Sequence, residues 1–142
     1  MSSSDRFKPI QELASHRERK AAAALGESLR QRAAARQRLD ELKQYLAEYL
    51  DRYASAAGNG LSGGQILEYQ VFISKLQTAI AEQEQVVSRS QRECDTSMTQ
   101  WRGRYSKSKV LSNAVDRMHS EERREQERKE QLEADDRPPR RR

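Results

Sequence analysis

The chain has 142 residues, 35% of them apolar and 35% charged, with six glycines, three prolines and one cysteine. That balance is too polar for a conventional globular core and suits a thin helical assembly, whose seam needs only two apolar positions in seven. The formal charge is +5, but four arginines (Arg137, Arg140, Arg141, Arg142) fall in the last six residues, leaving 23 basic against 22 acidic side chains elsewhere. A uniformly basic, duplex-binding body is therefore not what the composition describes.

A single cysteine, Cys94, excludes an intramolecular disulfide and points to a reducing, cytoplasmic setting. No apolar run approaches the length of a membrane span, and the start Met1-Ser-Ser-Ser-Asp-Arg-Phe-Lys-Pro carries no hydrophobic signal core.

Taken in chain order, residues 1–56 read as the first helix, with Ser4 or Asp5 as its cap and Pro9 within the tolerant first turns. Steps of three and four give Leu39, Leu42, Leu46, Tyr49 and Tyr53 as its apolar face. The same phase runs back through Ala35, Arg32, Ser28, Leu25, Ala21, Glu18 and Ala14, so the face thins toward the N-terminus. Residues 57–64 concentrate Gly58, Gly60, Gly63 and Gly64 and read as the turn.

Residues 65–135 read as a second helix. From Ile66 the 3.5-residue repeat passes through Tyr69, Ile73, Leu76, Ile80, Gln83, Val87, Ser90, Cys94, Ser97, Trp101, Arg104, Ser108, Leu111, Val115 and Met118 without slipping. Between Gln83 and Arg104 the repeat turns polar, which predicts a loosely packed seam there or one that needs other apolar neighbours. The fold class that follows is all-α, a long antiparallel two-helix coiled-coil hairpin. A turn centred near residues 60 and 61 sets residue i opposite residue 121 minus i. The second helix then overruns the first from about residue 117, and the alternating charges of residues 120–133 suit an unpartnered helix. At 1.5 Å per residue the second helix would be roughly 105 Å long. Residues 136–142 read as a basic disordered tail.

No pattern of catalytic chemistry emerges: no catalytic, cofactor-binding or metal-ligating residues are expected. His16 and His119 are isolated among charged residues, and the glycines lie between helices with no preceding strand. Cys94 falls on the seam as a small buried hydrophobe, and Trp101 lies there too, as core or as a residue meeting a partner.

One feature departs from the seam. Phe72 lies beside it and begins a stripe through Leu76, Ala79 and Gln83, matched on the first helix by Arg38, Leu42, Tyr45 and Tyr49. The register sets 49 opposite 72, 45 opposite 76, 42 opposite 79 and 38 opposite 83, so both stripes fall on one side of the hairpin. The strip reads equally as a widened seam and as a binding surface.

Gly58-Asn-Gly60-Leu at the turn, Tyr69-Gln-Val-Phe-Ile73 with Leu76, Ala79 and Ile80, Trp101-Arg102, and the Tyr45 and Tyr49 pair resemble the flagellar type III export protein FliJ family. The resemblance covers nearly the whole chain. It implies a coiled coil similar to the central stalk of rotary ATPases, binding the hexameric export ATPase, the cytoplasmic part of the membrane export gate and export substrate chaperones. It also implies a gate-contacting surface at Leu42, Tyr45, Tyr49, Phe72, Leu76 and Ala79, from which Arg38 and Gln83 depart, and ATPase-facing ends of both helices. A cytoplasmic protein peripherally associated with the inner membrane at the flagellar base is the corresponding location. The injectisome counterpart of the stalk is the nearest alternative. A basic-tailed binder of nucleic acid or anionic membrane is the alternative of a different class, with a steep salt dependence that would vanish on loss of residues 137–142.

Overall fold

A computed structural model describes residues 2–136, and the basic tail expected over 136–142 lies outside these apart from Asp136, which ends the second helix in a turn. Two helices, α1 (Ser3–Gly58) and α2 (Gly63–Asp135), pack against one another as an antiparallel hairpin, with no strand among the described residues. Ala, Glu, Gln, Arg, Lys and Leu fill both, and Pro9 lies inside α1, where it has no N–H to give to the Asp5 carbonyl.

The helix ends differ from the sequence expectation in instructive ways. Ser2, rather than Ser4 or Asp5, caps α1: its Oγ accepts from the Asp5 backbone N–H at 3.3 Å. α1 then continues to Gly58, two residues past the expected end at 56. Asn59 and Gly60 donate back to the Ala56 and Ala57 carbonyls, and Gly60 adopts φ 86°, a left-handed backbone open to glycine. Ser62 and Gln65 form a reciprocal capping box at the start of α2, each side chain accepting from the other's backbone N–H, at 3.2 and 3.0 Å. The turn is therefore shorter than the glycine-rich segment.

The hairpin divides into two compact units, each containing parts of both helices: a turn-proximal unit, Ala23–Thr99, and a distal unit, Met1–Ala22 with Gln100–Arg142. In the turn-proximal unit, cross-helix partners have residue numbers summing to between 117 (Tyr45 with Phe72) and 127 (Arg36 with Gln91). Leu42 and Leu76 are its large buried aliphatics, while Leu39, Leu46, Ile66, Tyr69, Ile73, Ile80 and Val87 are half-buried along the same line of contact. A pair of helices can cover only one stripe of each, so half-burial is the ordinary state of a two-helix seam.

The polar stretch beginning at Gln83 is not loose. Cys94 is 3% exposed and its Sγ donates to the Ser28 carbonyl at 3.0 Å. Ser28 and Ser97 hydroxyls meet at 3.0 Å, Gln83 donates to the Ala35 carbonyl at 3.0 Å, and Arg36 donates to Gln91 at 2.8 Å. Small residues (Ser28, Ala35, Ser90, Cys94) let the backbones approach, and side chain to backbone hydrogen bonds then replace apolar volume.

In the distal unit, Ala14 and Val115 are buried, and Trp101, Leu111 and Met118 are half-buried. Arg104 is exposed, so the repeat is interrupted on that side chain. Pairing continues further than the expected limit near 116. Ser4, almost wholly buried, gives its backbone N–H and its hydroxyl to the two carboxylate oxygens of Glu122, at 3.0 and 2.6 Å. The overrun of α2 therefore begins after Glu122, because α1 starts two residues before its foreseen cap at Asp5 and these partners sum to 126 rather than 121.

Those bonds, the Ser4 hydroxyl first and its N–H second, hold the Glu122 carboxyl below its ordinary 4.5. A depressed carboxyl contributes its stabilisation fully above its unfolded pKa and loses it as pH falls through the folded value. Acidification below the usual glutamate range should therefore release the start of α1. Protection factors for the amides of residues 3–7, from hydrogen exchange corrected for intrinsic rates, should fall between pH 6 and pH 3, and Glu122→Ala should lower them at pH 6.

Candidate functional site

The feature that sets this hairpin apart from a plain charged coiled coil is a run of five aromatic rings in the turn-proximal unit. Tyr53 meets Tyr69 at 5.2 Å between centroids, Tyr69 meets Tyr49 at 5.4 Å, Tyr49 meets Phe72 at 4.3 Å and Phe72 meets Tyr45 at 6.1 Å. The run crosses between α1 and α2 at each step. Tyr53, Tyr49 and Tyr69 occupy seam positions, whereas Tyr45 and Phe72 flank it on the same side. Edge and tilted ring pairs of this kind contribute about 0.5–1.5 kcal/mol each beyond area burial.

The expected strip residues divide into a floor and an edge. Leu42 and Leu76 are 9% and 7% exposed and belong to the core, as their place on the seam repeat leads one to expect. Tyr49, Phe72 and Ala79 are half-buried, and Tyr45 is 45% exposed. Leu42 and Leu76 floor a shallow cleft that Tyr45, Arg38 and Glu41 border. Gln83 does not extend the strip, because its side chain is drawn inward to the Ala35 carbonyl. The inner side chains thus widen the seam, and Tyr45 meets solvent at its edge.

Leu67 and Val71 were absent from the sequence-based strip. They are 60% and 46% exposed and border a second cleft with Phe72, Glu68 and Lys75. Their signal was apolar residues at outward heptad positions, which a search restricted to the seam and its flanks passes over. Phe72 packs against Tyr45, which borders the first cleft.

Trp101, in the distal unit, is half-buried; its Nε1 donates to Glu18 at 3.0 Å and its ring stacks on Tyr105 at 5.4 Å. It therefore ties the two helices together, while Tyr105 and Phe7 are the exposed aromatics of that unit. Among the described residues no group of three or more His, Cys, Asp or Glu is placed to hold a metal ion. Among the described residues no helix is long and apolar enough to cross a membrane.

The division into floor and edge has a measurable consequence. Leu76→Ala should destabilise the hairpin by roughly 2–3 kcal/mol, within the usual range for a buried leucine. Tyr45→Ala should cost about 1 kcal/mol or less. Urea denaturation followed by circular dichroism distinguishes the two, and equal losses would show that Tyr45 is as much a core residue as Leu76.

No curated protein matches the chain. The flagellar FliJ protein family, by contrast, matches residues 3–140, nearly the whole chain and both helices of the hairpin. A match of that extent, on a two-helix fold of this kind, shows that the chain belongs to the flagellar FliJ family and is a flagellar, export-related protein.

Proposed function

We propose that this chain is a coiled-coil stalk of the flagellar type III export apparatus, binding the hexameric export ATPase, the cytoplasmic part of the membrane export gate and substrate chaperones. The observation that carries the reading is the family match along residues 3–140. It also favours the flagellar system over the injectisome counterpart. The protein acts from the cytoplasm, held at the inner membrane through its partners, and contributes contacts rather than chemistry.

The two units offer separate work. In the turn-proximal unit the gate-facing strip is Leu42, Tyr45, Tyr49, Phe72, Leu76 and Ala79, and the geometry supports a division of labour within it. Tyr45 and Phe72 present ring edges to the gate, while Leu42 and Leu76 hold those rings from beneath. Aromatic anchors on a rigid helical support lose little conformational freedom on binding, which is why such residues dominate interface energetics. The distal unit faces the ATPase. A stalk that contacts the ring differently in its different nucleotide states shifts the populations of those states without any catalytic group of its own.

A pull-down against the cytoplasmic part of the gate, and ATPase activity and ring assembly of the cognate ATPase, test the two halves separately. Tyr45→Ala with Phe72→Ala should abolish gate capture and leave ATPase stimulation intact. Normal gate capture by that double variant removes the strip assignment, and an ATPase indifferent to the wild-type chain removes the stalk reading.

A further inference from the structure

The net charge of the chain conceals a strong segregation along the hairpin. Residues 6–22 carry five Lys/Arg against two Glu, and residues 100–118 carry five against one Asp, a net of +7 that falls to +4 when the paired part is taken out to the Ser4–Glu122 contact. Residues 23–99 carry nine against ten, a net of −1. The overrun 123–136 carries four against six, a net of −2. Cations are therefore collected where α1 and α2 pair in the distal unit.

Within that region a cleft opens between the helices. Ile10, Leu13 and Arg17 line it from α1, and Arg104, Lys107 and Leu111 from α2. Each set has the spacing i, i+3, i+7, so each is one stripe of a helix. Ile10 and Leu111, and Arg17 and Arg104, border the same cleft from opposite helices. One end of the cleft is thus aliphatic, with Ile10 and Leu13 half-exposed, and the other end is cationic. Among the described residues Arg17, Arg104 and Lys107 form no ion pair with a carboxylate. Three cations lining one cleft with no carboxylate bound to any of them repel one another, and an anionic partner would relieve that repulsion.

From this geometry we infer that the cleft is a docking site for an acidic amphipathic helix of a partner protein. Such a helix places an aliphatic anchor between Ile10, Leu13 and Leu111 and carboxylates one turn further on, against Arg17, Arg104 and Lys107. With about 50 Å³ of accessible space, the cleft takes one side chain and not a nucleotide or cofactor. Two parallel stripes form a groove that a third helix fills, the helix-in-groove mode of recognition. Aliphatic side chains offer no platform for base stacking, which sets the site apart from a single-strand nucleic-acid groove. The inference rests on the reading that the distal unit faces a partner, but not on that partner being the export ATPase.

The test uses the full chain and fluorescein-labelled helical peptides built from Leu and Glu, or from Leu and Lys, followed by fluorescence anisotropy. The Glu peptide should bind saturably and the Lys peptide should not. Arg17→Gln with Arg104→Gln should weaken binding at least about tenfold, and Leu13→Ser, which alters no charge, should weaken it severalfold. All three positions are exposed, and circular dichroism confirms that the variants remain helical. Tyr45→Ala should bind the peptide as the wild type does. Binding that ignores Leu13→Ser, equal binding of the Lys peptide, or a thymidine oligonucleotide bound as tightly as the Glu peptide overturns the proposal. Loss of peptide binding with ATPase stimulation intact locates the partner elsewhere than on the ATPase. Intact peptide binding with no ATPase stimulation removes the stalk reading and leaves the groove.

Discussion

Two helices have one line of contact, and whatever the chain buries must be buried along it. A globular domain can tolerate a poor patch of core because other layers surround it. A hairpin has no other layer, so each step of the seam must supply either apolar volume or hydrogen bonds between the helices. This chain uses three solutions in succession. Near the turn, Leu42, Leu76 and the aromatic run fill the seam with side-chain volume. Around Cys94 the helices come close enough for the thiol and the Ser28 and Gln83 side chains to bond across the contact. In the distal unit the Trp101 to Glu18 bond and the Ser4 to Glu122 clamp take over, with Ala14 and Val115 as the buried apolar residues.

The constraint also shapes the surfaces available for binding. A narrow seam leaves large side chains half-covered, so aromatic residues that stabilise the hairpin are partly exposed to a partner. Phe72 illustrates the coupling. It packs against Tyr49 and Tyr45 across the helices and also borders the outward cleft with Leu67 and Val71. A substitution there changes both packing and surface, which is why stability must be measured beside any binding defect. The charge pattern follows the same logic: with almost no interior, electrostatic identity is carried by position along the helices, and a near-neutral sum conceals a strongly cationic paired region.

Much of this was legible in the sequence. The three-and-four spacing from Ile66 to Met118, with the glycines before it, specifies a helical hairpin and its approximate register, because an antiparallel pair with a short turn has little freedom to slide. The family too was readable from the turn, the Tyr69 to Ile73 segment and Trp101. The cap was not, since three consecutive serines compete and only the Asp5 N–H decides for Ser2. The burial of Leu42 and Leu76 was legible from the seam repeat, whereas the exposure of Tyr45 beside them depends on how closely the backbones approach. The polar stretch from Gln83 pointed to a loose seam or to other apolar neighbours, and neither includes the hydrogen bonds found there, because bonds to backbone carbonyls have no signature in hydrophobic periodicity. The cleft around Leu111 requires two distant segments to be set side by side, which counting charges over the whole chain does not do.

The pairing within one chain, in this register, supports every other statement about surfaces and partners. Its most direct test uses the native cysteine, whose sulfur lies 3.0 Å from the Ser28 carbonyl. On mild oxidation, Ser28→Cys should form an intramolecular disulfide with Cys94, seen as a monomeric product by intact mass, while Ala21→Cys, two turns away on the same face, should not. Exclusively intermolecular products from Ser28→Cys, or equal intramolecular bridging from Ala21→Cys, would contradict the hairpin as described.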